Sequence, residues 1–328
     1  MKALTYNRYG SCDQLQLNEV EKPSLKKSEV LVKVIASSIN SWDVDMLKGD
    51  QWIIRIIGGF INPRHTILGA DIAGVVEVVG EDVRHFKIGD EVYGDIAEAG
   101  FGGFAEYVAV PEKLLAPKPK GLSFEEAASI PQAGLLAIQG LRHHGDIQPG
   151  QKILINGAGG GVGTLALQYA KAKGAEVTCV DRKEKFEMLR SLGTDHTIDF
   201  TTTDYTATGQ QYNKILDVIA HRSASDYKRA LKPDGVFAMI GGSMGGLLFR
   251  MMVVEPLLSR YRNKKLGIMG YMVGRTELEQ LTHLLEEGKI KPVIDSVFSL
   301  KDGAKAFQYF LSGTFKGKVI IKVAGHDR

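Results

Sequence analysis

The chain has 328 residues, 44% of them hydrophobic and 24% charged, which is the make-up of a soluble globular protein too long for one comfortable core and points to two domains. A formal net charge of +3 gives a nucleic acid little to hold, and Cys12 and Cys179, the only cysteines, can form neither a disulfide framework nor a four-cysteine zinc site. Residues 1–10 lack an apolar signal core and the longest apolar patch, 245–258, is broken by Arg250 and Glu255, so neither secretion nor a membrane span is expected and a cytoplasmic setting is the default.

From residue 1 to about 120 the chain runs in short apolar or alternating stretches, among them 29–36, 71–80 and 103–110, cut by Gly and Pro; this predicts an all-β lobe of barrel type. The character changes at Ser123 and Glu126, which have capping-box spacing for a helix start. Two helical stretches lead to the turn 148–151 and then to an apolar strand from Lys152. Beyond it come a helix at 183–192, a strand at 215–219, a helix at 225–231, and strands at 236–240 and 266–269. Such alternation predicts a parallel sheet covered on both faces. Arg260, Arg262, Lys264 and Lys265 read as a solvated approach to that last strand. Thr276 and Glu279 cap another helix, with Leu278, Leu281, Leu284 and Leu285 at helical spacing, and 318–323 is a closing apolar strand. A terminal strand after so long an excursion returns to the first lobe, which gives a division into 1–122 plus 273–328 and 123–272.

The densest signal is the strand, glycine turn and helix start over 152–171. Glycines let the backbone bend sharply and approach a ligand, and the helix N-terminus offers unpaired N–H groups to negative charge. Ala158, Gly160 and Gly163 stand in A-x-G-x-x-G order, one glycine short of the dinucleotide fingerprint, with Gly159, Gly161 and Val162 between them. The next apolar run ends in Asp181, where the fold places an acid for a ribose 2′-hydroxyl. A bound dinucleotide is expected; the bland alternative is an ordinary tight turn with Asp181 solvated.

Several further runs keep the same order: Asn40, Ser41, Trp42 and Asp43 after the first long strand, then 68–76, 89–94, 102–107, 190–199 and 317–321. Together they resemble the medium-chain dehydrogenase/reductase superfamily, in its zinc-free quinone oxidoreductase and zeta-crystallin-like branch, over essentially the whole chain. The resemblance implies an α/β fold, a Rossmann-type doubly wound parallel sheet inserted in a GroES-like β-barrel domain. It also implies hydride transfer from NAD(P)H to a quinone or an α,β-unsaturated carbonyl. Zinc alcohol dehydrogenases of this kind carry Cys where Asn40 stands and His where Ala70 stands; an amide and a methyl cannot replace those ligands. Without a Lewis acid an isolated ketone is a poor substrate, whereas a conjugated acceptor spreads the arriving charge.

By the same resemblance, Asn40 lies near nicotinamide and substrate and donates a hydrogen bond or fixes the cofactor; a turn residue is the alternative. Asp43 either does proton work or holds backbone N–H groups. Tyr93 and Tyr107 read as packing residues. Trp42, Trp52, Ile53, Ile54, Ile56, Ile57 and Phe60 line a cleft wall suited to a lipophilic substrate, or form a satellite core. Ile240, Gly241 and Gly242 match the family's nicotinamide contact. Asp181 disfavours a 2′-phosphate and tips the cofactor to NAD, while Arg182 and Lys183 argue for NADP. Leu136 stands where the family has Thr. A homodimer joined through 263–272 is implied. The rival readings are a non-catalytic nucleotide- or RNA-binding protein and a zinc-free alcohol dehydrogenase.

Overall fold

The structure, a computed structural model, describes residues 1–242, 265–268 and 271–324. The chain divides into two units, Met1–Gln132 with Val273–Glu287 and Pro292–Arg328, and Ala133–Met272 with Gly288–Lys291. The apolar patch 245–258 and Arg260, Arg262 and Lys264 lie outside the described residues, as does part of 263–272.

The first unit opens with β1 (Lys2–Thr5) and β2 (Gln16–Glu19), an antiparallel ribbon. β3 (Glu29–Ser38) follows; its Val, Leu, Ile and Ala side chains are all buried, and Lys33, which interrupts them, is the one position only half-buried, as an apolar stretch with so little alternation requires. α1 (Ser41–Lys48) and α2 (Trp52–Gly58) come next, then β4 (Asp71–Val79), β5 (Glu91–Asp95), β6 (Tyr107–Pro111), β7 (Ala116–Pro117) and α3 (Phe124–Ala128). The last of these carries the capping box of Ser123 and Glu126.

Two helices thus occupy the apolar connection between the β runs. α1 begins at the Asn40 cap and stops at Gly49, whose φ of 58° only glycine adopts without strain. Trp52, Ile56, Ile57 and Phe60 are exposed while Ile54 is buried and Trp42 and Ile53 pack on the core. One face of this segment thus joins the core of the first unit, and its other face is exposed.

The second unit holds α4 from its third residue on (Pro131–Arg142), β8 (Lys152–Asn156), α5 (Gly161–Ala172), β9 (Glu176–Asp181), α6 (Phe186–Ser191), β10 (His196–Asp199), β11 (Tyr212–Asp217), α7 (Ala224–Ala230), β12 (Leu231–Met239) and β13 (Lys265–Ile268). The sheet order is β10-β9-β8-β11-β12-β13, with every pair parallel. Such an order reverses direction between β8 and β11, and doubly wound sheets bind ligands at that reversal, beyond the carboxyl ends of the strands.

The chain then re-enters the first unit with α8 (Arg275–Glu286), β14 (Ile294–Ser299), α9 (Gly303–Leu311) and β15 (Lys318–Lys322). Leu278, Leu281 and Leu285 are the buried positions of α8. The seven-stranded sheet runs β14-β15-β3-β4-β5-β7, with β6 also on β3. β6 pairs with residues 29–33 of β3 and β15 with 36–38, while β4 takes the other edge. The end of β3 is therefore held between the first residues of β4 and β15. No described helix is long and apolar enough to cross a membrane.

Candidate functional site

In the second unit β8 runs straight into the glycine turn. Gly157, at φ 77°, turns the chain, and its N–H and that of Ala158 bond to Val180 O at 3.0 and 3.2 Å. Gly160 is the N-cap of α5, with its own N–H on Gly157 O and its O taken by Thr164 N–H. The N–H groups of Gly161, Val162 and Gly163 occupy the first turn and have no acceptor inside the helix. At Gly163 a Cβ would run into Ala158 Cα and Gly157 O, so this glycine lets helix and strand touch. At Gly160 a Cβ would meet nothing nearer than Gly157 O at 3.7 Å. Among the described residues nothing fills the space beyond Gly160, and this turn fits a diphosphate.

Asp181 ends β9 and is buried. Its Oδ2 accepts from Gly159 N–H at 2.7 Å, its Oδ1 from Arg182 N–H at 2.8 Å, and Lys185 Nζ lies 3.6 Å from Oδ1. The bland alternative of a solvated acid does not hold. Gly159 carries no side chain because a Cβ there would stand 2.9 Å from that carboxylate and against the Lys185 stem. Of the cations expected beside Asp181, Arg182 and Lys183 are exposed, and the Arg182 guanidinium sits over the Phe200 ring, 5.9 Å from its centroid. Lys185, also buried, is the cation at the acid. The sequence carried its signal, a lysine four residues after the acid.

At the other side of the reversal Asp217 closes β11. Its carboxylate accepts from Asn156 Nδ2 at 2.7 Å, from the hydroxyls of Tyr205 and Tyr227 at 2.9 Å each, and from Ile219 N–H at 3.0 Å. Burial pushes this acid up in spite of those donors and raises both phenols. Its backbone O holds Ile240 N–H at 2.9 Å, and Gly241 O accepts from Ala220 N–H. Gly242, at φ 132°, pairs with Ala220 so closely that a Cβ would meet its backbone. The turn 240–242 is thus pinned at the carboxyl end of the sheet.

The first unit gathers a second polar cluster at the end of β3. Asn40 Nδ2 donates to Asp71 Oδ2 at 3.0 Å, and its Oδ1 accepts from Lys318 Nζ at 2.6 Å. Lys318 also reaches Asp71 Oδ2 at 3.3 Å, where Ser38 Oγ donates at 2.9 Å; Gln132 N–H donates to Asp71 Oδ1 at 2.8 Å. All of these side chains are buried. Asn40 is thus more than a turn residue, because its amide serves the cluster. Lys318 escaped the sequence reading: 278 positions separate it from Asn40, and only the pairing of β15 with β3 brings them together.

Asp43 holds the backbone. Oδ2 accepts from Asn40 N–H at 2.8 Å and Oδ1 from Gly69 N–H at 2.9 Å, the second of the two roles open to it. Burial pushes its carboxyl up to about 7, with Asp71 adding to the rise and the two N–H donors and Lys318 opposing it. The folded value exceeds the unfolded one of about 3.9, so the stability this group contributes is complete below about pH 4 and lost as pH rises to about 7. In thermal melts across that interval, Asp43→Asn should fall less steeply with rising pH than the parent. Parallel curves would remove Asp43 from the titration. Tyr93 is buried with its hydroxyl on Leu278 O at 2.8 Å, and the Tyr107 ring carries Lys22 Nζ at 3.6 Å from its centroid, both structural contacts.

A zinc ion does not fit here. Asn40 and Ala70 supply no ligand pair, the nearest cation is already an ammonium, and no group of three His, Cys, Asp or Glu among the described residues could hold a metal.

Residues 26–120 match the family described as alcohol dehydrogenase GroES-like domain, and residues 192–321 that described as zinc-binding dehydrogenase. The chain is 36% identical to a 2-methylene-furan-3-one reductase of Solanum lycopersicum, over 98% of this chain and 79% of the relative. It is 33% identical, with the same coverage, to a chloroplastic NADPH-dependent alkenal/one oxidoreductase of Arabidopsis thaliana. Among solved structures, a quinone oxidoreductase from Coxiella burnetii superposes with a TM-score of 0.88 at 28% identity, covering 99% of each chain.

Proposed function

Since the chain belongs to the medium-chain dehydrogenase/reductase superfamily and is an oxidoreductase of it, we propose that it reduces quinones or α,β-unsaturated carbonyls with a nicotinamide dinucleotide and without zinc. Two observations carry this reading: a glycine turn at a helix N-terminus in one unit, and a buried donor cluster around Asn40 in the other. When bound, the dinucleotide supplies hydride from its nicotinamide C4. Gly160 to Gly163 hold the diphosphate, Asp181 receives ribose hydroxyls, and Ile240 to Gly242 present backbone to the nicotinamide. Asn40 keeps one Nδ2 hydrogen with no acceptor among the described residues, and gives it to the acceptor oxygen as negative charge arrives there. A conjugated acceptor needs no stronger electrophile than such a donor. The proton that completes reduction comes from water.

The test is oxidation of NADH and NADPH with a panel of quinones and alkenals by chelator-treated protein. Turnover with at least one class is expected; none across the panel overturns the reading. Asn40→Ala should lower kcat on an alkenal by roughly 100-fold, the usual cost of losing one oxyanion donor, with dinucleotide affinity unchanged.

For the cofactor we propose NADH. Asp181 is anchored by Gly159 N–H and would meet a 2′-phosphate with like charge. The Lys185 ammonium favours the opposite choice, and one relative is named NADPH-dependent. Fluorescence titration decides: Asp181→Ala should shift the NADPH-to-NADH affinity ratio upward by about tenfold or more, roughly 1.4 kcal/mol. A ratio that stays put leaves the choice to Lys185. A second copy of the chain would pair along β13, the last strand of the sheet among the described residues, and light scattering would show the dimer.

A further inference from the structure

The Asn40 carboxamide is bracketed by a buried ion pair. Lys318 Nζ stands 2.6 Å from its oxygen and Asp71 Oδ2 3.0 Å from its nitrogen, while the two ions lie 3.3 Å from each other. Side-chain exposure is 5% for Lys318 and zero for Asp71. This arrangement settles which way the amide points, because a flipped group would set NH2 against an ammonium and oxygen against a carboxylate. It also acts on the electrons of the amide. A cation at the oxygen favours the charge-separated form, with more negative oxygen and more positive nitrogen, and low polarity around it magnifies the effect, while the Asp71 carboxylate at one N–H fixes the rotation of the group. The second Nδ2 hydrogen, which has no acceptor among the described residues, becomes a stronger donor than an ordinary asparagine offers.

We propose that Lys318 and Asp71 are positioning residues: together they lock the Asn40 amide, and Lys318 at its oxygen sharpens the remaining N–H for the oxyanion that forms on the acceptor. The inference rests on the function proposed above. Hydride adds to the β-carbon of an enone, the carbon–carbon π pair moves toward the carbonyl, and an enolate oxygen results; a proton from water then goes to the α-carbon. In a quinone the same charge becomes a phenolate stabilised by the ring. The enolate is the more basic oxygen and gains more from a strong donor. Lys318 therefore matters more for enones than for quinones.

The experiment uses the full-length protein with Lys318→Arg, Lys318→Gln and Asn40→Ala. The first readout needs no turnover: in 15N-labelled protein the Asn40 side-chain amide signals are identified by their loss in Asn40→Ala. Lys318→Gln should move these signals upfield and Lys318→Arg should leave them near the parent position. The second readout is kinetic. Lys318→Gln should lower kcat on an enone by about tenfold or more, below the 10²–10³ of outright donor loss, and lower it less on a quinone. Its dinucleotide Kd should be unchanged. Added to Asn40→Ala it should cost nothing further, and Lys318→Arg should restore most of the loss.

Unmoved amide signals, an equal fall with both acceptors, or additive losses with Asn40→Ala overturn the inference. Should Lys318→Gln fail to fold, Lys318→Gln with Asp71→Asn removes both charges together and is read in the same way. If the parent reduces no acceptor, the proposed function falls, and the amide signals alone still decide the clamp.

Discussion

Gly160→Ala should fold and melt like the parent while binding NAD(P)H roughly 10- to 100-fold more weakly, a loss of about 1.4 kcal/mol for each factor of ten. The backbone at Gly160 has φ −90° and ψ −178°, which alanine adopts freely, and among the described residues its Cβ would meet nothing nearer than Gly157 O at 3.7 Å. Among the described residues it obstructs nothing, so a loss of affinity reports on what binds outside the turn. Gly163→Val is the opposite case. There the side chain would strike Ala158 Cα and Gly157 O, backbone atoms that cannot step aside, so α5 must lift from β8. About 3 kcal/mol of stability should go with it, the upper range for overpacking, and dinucleotide binding as well. Calorimetry beside fluorescence titration separates the two. Undiminished binding by Gly160→Ala would mean that the turn does not hold the diphosphate.

Asp217→Ala should be the most damaging single truncation in the parallel sheet. Its carboxylate serves two buried tyrosine hydroxyls, a buried asparagine amide and the backbone N–H of the exposed Ile219. Each buried donor left without a partner costs about 1–3 kcal/mol, and water entering the gap recovers only part. A net loss of about 4 kcal/mol, or roughly 10 °C in Tm, is expected. Tyr205→Phe removes one donor and leaves Asp217 three, so about 1 kcal/mol is expected there. Equal melting losses in the two variants would show that Asp217 does not organise the network.

Much of this fold can be read along the chain because its signals are local. The alternation of 152–240 gave the parallel sheet, the capping pair at Ser123 marks a helix start as expected, whereas the helix expected to be capped at Thr276 begins at Arg275 after Gly274 with no side-chain cap, and the closing strand does return to the β lobe. Helices α1 and α2 escaped because their apolar positions follow no clean helical stripe. Trp52, Ile56 and Ile57 face solvent, and exposed apolar side chains defeat a periodicity argument. At the sites the division is similar. Gly160, Gly163 and Asp181 are legible because the turn, the helix and the next strand are consecutive. Lys185 is local too, but it was overshadowed by the more obvious Arg182 and Lys183. Lys318 could not be found from spacing at all, since its partners Asn40 and Asp71 are brought to it only by sheet pairing.

That pairing has a consequence for synthesis. Asn40 and Asp71 leave the ribosome early, whereas Lys318 follows only after the entire parallel sheet has been translated, 247 residues behind Asp71. At about 5–20 residues per second the nascent β lobe waits tens of seconds with Asp71 held by Ser38, Asn40 and Gln132 but without its Lys318 cation, and with part of the β3 edge open. Until β15 is released and docks, the lobe lacks its last strand, and that seam closes after the nucleotide-binding fold has had time to form.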